Sequence, residues 1–63
     1  MCLSNVYIQG DGERDLLCEY VTSISVMDGD VRMTDIAGGE ISVAGSIQSV
    51  DLIKNTVVIC RPE

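Results

Sequence analysis

Val31-Arg32-Met33-Thr34-Asp35-Ile36, then Ala37-Gly38-Gly39, then Glu40-Ile41-Ser42-Val43-Ala44 is the stretch that decides the fold. Val31 and Met33 fall on one face of an extended segment. After the glycine turn, Ile41 and Val43 point inward and Glu40 and Ser42 outward. Two-residue alternation on both sides of a Gly turn is the signature of a β-hairpin. Working outward, the same grammar repeats. Asp28-Gly29-Asp30 is a tight turn, because Gly and Asx residues tolerate positive φ or bond their own backbone. Before it, Val21 to Met27 sets Ile24 and Val26 against Ser23 and Ser25, and Arg14 to Tyr20 sets Leu16 and Cys18 on one face. Cys2 to Ile8 opens the chain with Val6 and Ile8 together, and Gln9-Gly10-Asp11-Gly12-Glu13 forms the loop behind it. On the other side, Gly45 and Lys54-Asn55 bound strands from Ile47 to Ile53 and from Thr56 to Cys60.

Composition agrees. The chain has 63 residues, of which 46% are hydrophobic. Phe and Trp are absent, and Tyr7 and Tyr20 are the whole aromatic supply, so the core must be aliphatic. Eight Val, seven Ile and three Thr give a β-branched bias that suits strands. Residues 1–63 therefore read as one small all-β domain, an SH3-like or Sm-like barrel of five to seven short strands, with an OB-like closure as the alternative. Curling into a barrel removes exposed edges. A core this thin is marginal alone, which favours association of two chains about a dyad.

Several function classes are excluded by what the chain lacks. Ten acids against four bases give a net charge of −6, the wrong sign for a nucleic-acid partner. The bases Arg14, Arg32, Lys54 and Arg61 are dispersed. There is no His to act as a general base near neutral pH, and the Ser and Thr residues have no partner base, so no enzyme is expected. No apolar run reaches the ~18 residues of a membrane span, and no signal peptide is visible. Asp28-Gly29-Asp30 lacks the downstream acids of a calcium loop. Gly10 and Gly12, like Gly38 and Gly39, open no helix that could cradle a phosphate. The acids Asp11, Glu13, Asp15 and Glu19 read as a solvated face.

Three cysteines remain: Cys2, Cys18 and Cys60. The odd number and the missing signal predict free thiols and a cytoplasmic home. Cys18 and Cys60 lie in strand-like runs and read as small core residues. Cys2 is different. A thiolate is a soft donor for late transition metals, and a terminal amine with a pKa of about 8 is a good nitrogen donor once deprotonated. Cys2 with an amine or its own amide nitrogen closes five-membered chelates that fit the square plane of Ni(II) or Cu(II). One chain supplies too few ligands, whereas two related by a dyad supply two thiolates and two nitrogens.

Met1-Cys2-Leu3-Ser4-Asn5-Val6-Tyr7-Ile8 resembles the opening of the CooT family, small nickel-binding accessory proteins of carbon monoxide dehydrogenase maturation. Similar stretches follow: Val21-Thr22-Ser23-Ile24, Asp28-Gly29, Val31-Arg32-Met33-Thr34-Asp35-Ile36, Gly45-Ser46-Ile47 and Val50-Asp51-Leu52. The resemblance spans nearly the whole chain, and Cys2 in a chain of this length is its telling part. It implies a homodimer that binds Ni(II) through Cys2 at the interface and delivers the metal to a client nickel enzyme such as carbon monoxide dehydrogenase, with no catalytic residue of its own. Hydrogenase-maturation chaperones of the HypC type also begin Met-Cys-Leu, but they continue with a Pro-Gly pair where this chain has Ser4-Asn5. The remaining alternative is a structural or interaction module without metal.

Overall fold

A computed structural model describes residues 3–62. Six strands account for 42 of these residues: β1 (Ser4–Gln9), β2 (Arg14–Met27), β3 (Asp30–Asp35), β4 (Glu40–Ala44), β5 (Ser46–Asp51) and β6 (Thr56–Cys60). They form one sheet in the order β4-β3-β2-β1-β6-β5. Every neighbouring pair is antiparallel except β1 with β6, which run parallel with Asn5 opposite Thr56 and Gln9 opposite Cys60.

The hairpin stretch folds as its alternation dictates. Ile24, Met33 and Ile41 form one cross-strand row and Val26, Val31 and Val43 another. Val31 and Met33 are wholly buried. The alternate rows, Ser23-Thr34-Glu40 and Ser25-Arg32-Ser42, lie on the opposite face. Asp28 and Gly29 both take positive φ, 50° and 80°. That makes the β2–β3 connection a two-residue turn of the primed type, whose twist matches that of the strands. Val6, Cys18, Val21, Val57 and Ile59 complete the aliphatic core around Val31 and Met33.

Three details depart from simple alternation. First, Arg14 to Tyr20 and Val21 to Met27 are one strand, bent at Tyr20, which sits at φ 56°. Val21 pairs with both Ser4 and Asp35, so β2 leaves the β1 ladder and joins the β3 ladder there. Second, Leu16 and Cys18 do not share a face. Cys18 pairs with Val6 but Leu16 pairs with Tyr7, which leaves Leu17 as the extra residue of a bulge. Leu17 and Cys18 both lean on the core, while Leu16 is left 48% exposed. Third, the strand expected over Ile47 to Ile53 ends at Asp51. The Asp51 carboxylate accepts bonds from the Ile53 and Lys54 amides at 3.0 and 2.9 Å and turns the chain.

The expected barrel closure is corrected to an open sheet: β4 and β5 are its two edges and are not hydrogen-bonded to each other. Gly45 alone joins them, and a one-residue link cannot lay consecutive strands side by side as a hairpin. It makes a corner instead. Gly45 sits at φ 150° and donates its amide to the Gly29 carbonyl at 2.9 Å. A Cβ at this position would run into the Cys60 carbonyl oxygen. The sheet is nonetheless strongly curled. Four strand spacings would separate β3 from β5 by about 19 Å in a flat sheet, yet Cα atoms of the two strands come within 8 Å. No helix of the described residues is long and apolar enough to cross a membrane.

Candidate metal centre at the N-terminal end

Cys2, the metal ligand expected from the sequence, lies outside the described residues. What the fold does fix is the point where the chain enters the sheet. Ser4 pairs with Val21 on the β2 side. On the β6 side the Asn5 amide donates to the Asn55 carbonyl at 2.9 Å. The start of β1 is thus held between the Tyr20 bend and the turn that precedes β6. The Ile36 amide donates to the Tyr20 carbonyl at 2.9 Å, which ties the end of the β3 segment to the same place.

This end carries apolar side chains that the core does not use. Tyr20 is 57% exposed and Ile36 63%. Across β1, Leu52 and Ile53 on the Asp51 turn are 81% and 93% exposed. A shallow depression of about 210 Å³, lined by Ser4, Val21, Thr22, Ser23 and Ile24, opens beside the entry point. Tyr20 and Ile36 thus lie on the β2–β3 side of the entry point, and Leu52 and Ile53 on the β6 side. Period-2 reasoning missed them, because Tyr20 sits on a bend and Leu52 and Ile53 on a turn. The signal that could have found the turn was Asp51 followed by Lys54-Asn55, an Asx-turn pattern.

The other two thiols stand apart from the entry point. Cys18 is buried opposite Val6, with its Sγ donating to the Glu19 carbonyl at 3.8 Å. Burial pushes its thiol pKa up, and the negative charges of Asp35 and Glu19 add to the shift. A thiol held protonated is a poor metal ligand. Cys60 is half-buried rather than a core residue. Its Sγ lies 3.3 Å from the Ser46 Oγ at the β5–β6 corner. It pairs with Gln9, four residues along β1 from Asn5 and so about 13 Å of strand away from the entry point. Among the described residues no three His, Cys, Asp or Glu side chains come together as a metal site. Asp28 and Asp30 serve a hairpin turn, and Asp35 accepts bonds from the Ala37 and Gly39 amides at 2.9 Å each.

The sequence profile of the family described as CO dehydrogenase accessory protein CooT matches residues 1–60. The chain belongs to the CooT family. A crystal structure of a CooT candidate from Carboxydothermus hydrogenoformans superimposes with a TM-score of 0.90 at 16% identity, covering 98% of this chain and 100% of that one. At that identity the likeness carries the fold alone. No curated protein matches the sequence.

Proposed function

We propose that this CooT protein is a nickel metallochaperone. It binds Ni(II) as cargo through Cys2 at the interface of a homodimer and delivers it, in the cytoplasm, to a nickel enzyme such as carbon monoxide dehydrogenase. The observation that carries the reading is the family match beginning at residue 1, so that it takes in Met1-Cys2. Chemistry supports it: a thiolate next to an amine or amide nitrogen suits a late transition metal, and a half-filled shell asks for a second chain. The apolar side chains of Tyr20 and Ile36 beside the β1 entry favour apposition of two copies at that end. With nine buried hydrophobic side chains among the described residues, each chain has little core of its own, which also favours association.

Titration of the purified protein with Ni(II) tests the assignment. A thiolate-to-nickel charge-transfer band should grow and saturate at one metal per two chains. Cys2→Ser should abolish it, whereas Cys18→Ser and Cys60→Ser should leave the stoichiometry unchanged. Affinity should weaken from pH 8 to pH 6, since both donors must lose protons before they bind. A band that persists in Cys2→Ser would overturn the site.

A further inference from the structure

The outer face of β5 and β6 holds a groove of about 590 Å³ that the nickel reading does not use. Its apolar lining comes from Val50, Leu52, Ile53 and Val58. Val58 is 2% exposed and shares with its cross-strand partner Ser49 the face opposite the core residues Val57 and Ile59. Leu52 and Ile53 are 81% and 93% exposed on the adjoining turn, and Val50, paired with the core residue Val57, is 52% exposed at the rim. Arg14 and Lys54 complete the lining.

Charge says what kind of partner fits. The chain bears ten acids and four bases, yet two of those four bases line this one groove. The one acid there, Asp51, has an oxygen engaged by the Ile53 and Lys54 amides. Arg14 directs its Nε to a neutral acceptor, the Gln9 Oε1 at 3.0 Å, and keeps its charge for another partner. The cations lie at opposite ends of the groove. Arg14 pairs with Gln9, which is level with Cys60, and Lys54 precedes Thr56 at the other end of β6. Thr56 to Cys60 is about 13 Å of strand, and Arg14 stands on β2, two strands from β6, so a segment that reaches both cations also crosses β1. A flat anionic membrane would meet the acidic surface around the groove as well, whereas a narrow segment meets the groove alone.

We propose that this groove docks an extended acidic segment of a partner protein, with carboxylates at Arg14 and Lys54 and aliphatic side chains on Leu52 and Ile53. Lys54 adjoins Asn55, the residue that holds the start of β1, so a docked segment would end beside the N-terminal end of the chain. Docking needs no metal, so it and nickel binding can fail separately.

The probe is a fluorescein-labelled ten-residue peptide alternating Glu and Leu, read by fluorescence anisotropy, with amide NMR shifts mapped on the unlabelled complex. The expected result is binding with shifts confined to Arg14, the Val50 to Lys54 segment and their neighbours, weakened by salt and absent for a Lys/Leu peptide. Arg14→Glu/Lys54→Glu should bind at least tenfold more weakly. Arg32→Glu/Arg61→Glu, which changes the net charge equally, should stay within twofold of the parent. Shifts elsewhere on the parent, or equal losses in the two double variants, would overturn the proposal. So would a dimer-to-monomer change in the Arg14→Glu/Lys54→Glu protein by sedimentation, which would assign the groove to a second copy. Binding to phosphatidylglycerol vesicles in place of the peptide would overturn it in favour of a membrane.

Discussion

The two halves of the sheet treat their outer faces differently. Over β2, β3 and β4 the outer rows are Ser23-Thr34-Glu40 and Ser25-Arg32-Ser42, polar throughout and directly opposite the buried Val31 and Met33. These rows leave the outer face largely polar, although Tyr20, Val26, Met27 and Ile36 of this half are each more than half exposed. Over β1, β6 and β5 the separation breaks down. Val57, Val58 and Ile59 are consecutive and all buried, so β6 hides both of its faces. Tyr7 and Leu16 pair on the outer side, and Leu52 and Ile53 project from the end. A monomer gains nothing from such exposure. On the readings proposed above, the first half serves mainly as scaffold, and the second half, with the β1 entry, is where the molecule would meet others.

The largest predicted effect lies in the scaffold. Met33→Ala should cost about 2–5 kcal/mol in urea unfolding, since a wholly buried side chain leaves a cavity. Arg32→Ala, one residue away on the polar face, should stay within about 0.5 kcal/mol. Similar losses in the two variants would break the contrast between the faces of this half.

Next comes the corner that joins the two halves. Gly45→Ala should lower stability by about 1–3 kcal/mol, because it adds a side chain at φ 150° and against the Cys60 carbonyl. An unchanged denaturation midpoint would show that the corner is not the constraint inferred here. A different response is expected at the exposed end. Tyr20→Ser/Ile36→Ser should leave the unfolding of each chain nearly unchanged yet weaken self-association at least tenfold in sedimentation, or about 1.4 kcal/mol. If unfolding suffers and association does not, those side chains belong to the scaffold after all.

Titration gives the smallest effects. Backbone bonds from Lys54 and Ile53 and the nearby Lys54 charge outweigh desolvation and hold the Asp51 carboxyl below its ordinary value. The stability it contributes is present above the unfolded carboxylate's pKa of about 3.9 and fades as pH falls through the lower folded value. Asp51→Ala should therefore differ from the parent least at the acid end. Cys18 works in the opposite sense. Its thiol is raised by burial, so the folded state is unaffected below the ordinary thiol pKa of about 8.5 and loses stability above it, as the unfolded chain ionises first. Cys18→Ala should flatten that alkaline decline.

The strands of the first half were legible because alternation and turn chemistry point the same way there. Asp28-Gly29 demanded a primed turn, and Val31, Met33, Ile41 and Val43 kept their period. The rest was hidden for physical reasons. The bulge at Leu17 shifts register by one residue, and nothing in Leu16-Leu17-Cys18 announces it. The bend at Tyr20 places a bulky residue at positive φ, against local preference. Apolar Leu52 and Ile53 look like strand residues until the Asp51 carboxylate is seen bonding their turn. The open edge follows from a one-residue corner whose consequence appears only in three dimensions. Of the candidate site, sequence chemistry singles out Cys2, while the apolar side chains around the β1 entry come from segments distant in the chain.

Native mass spectrometry of the parent and of Cys2→Ser, with and without Ni(II), tests the central claim most directly. The account predicts a dimer of the parent carrying one nickel and a Cys2→Ser dimer carrying none. A single chain that binds nickel alone, or a Cys2→Ser protein that still retains the metal, would contradict it.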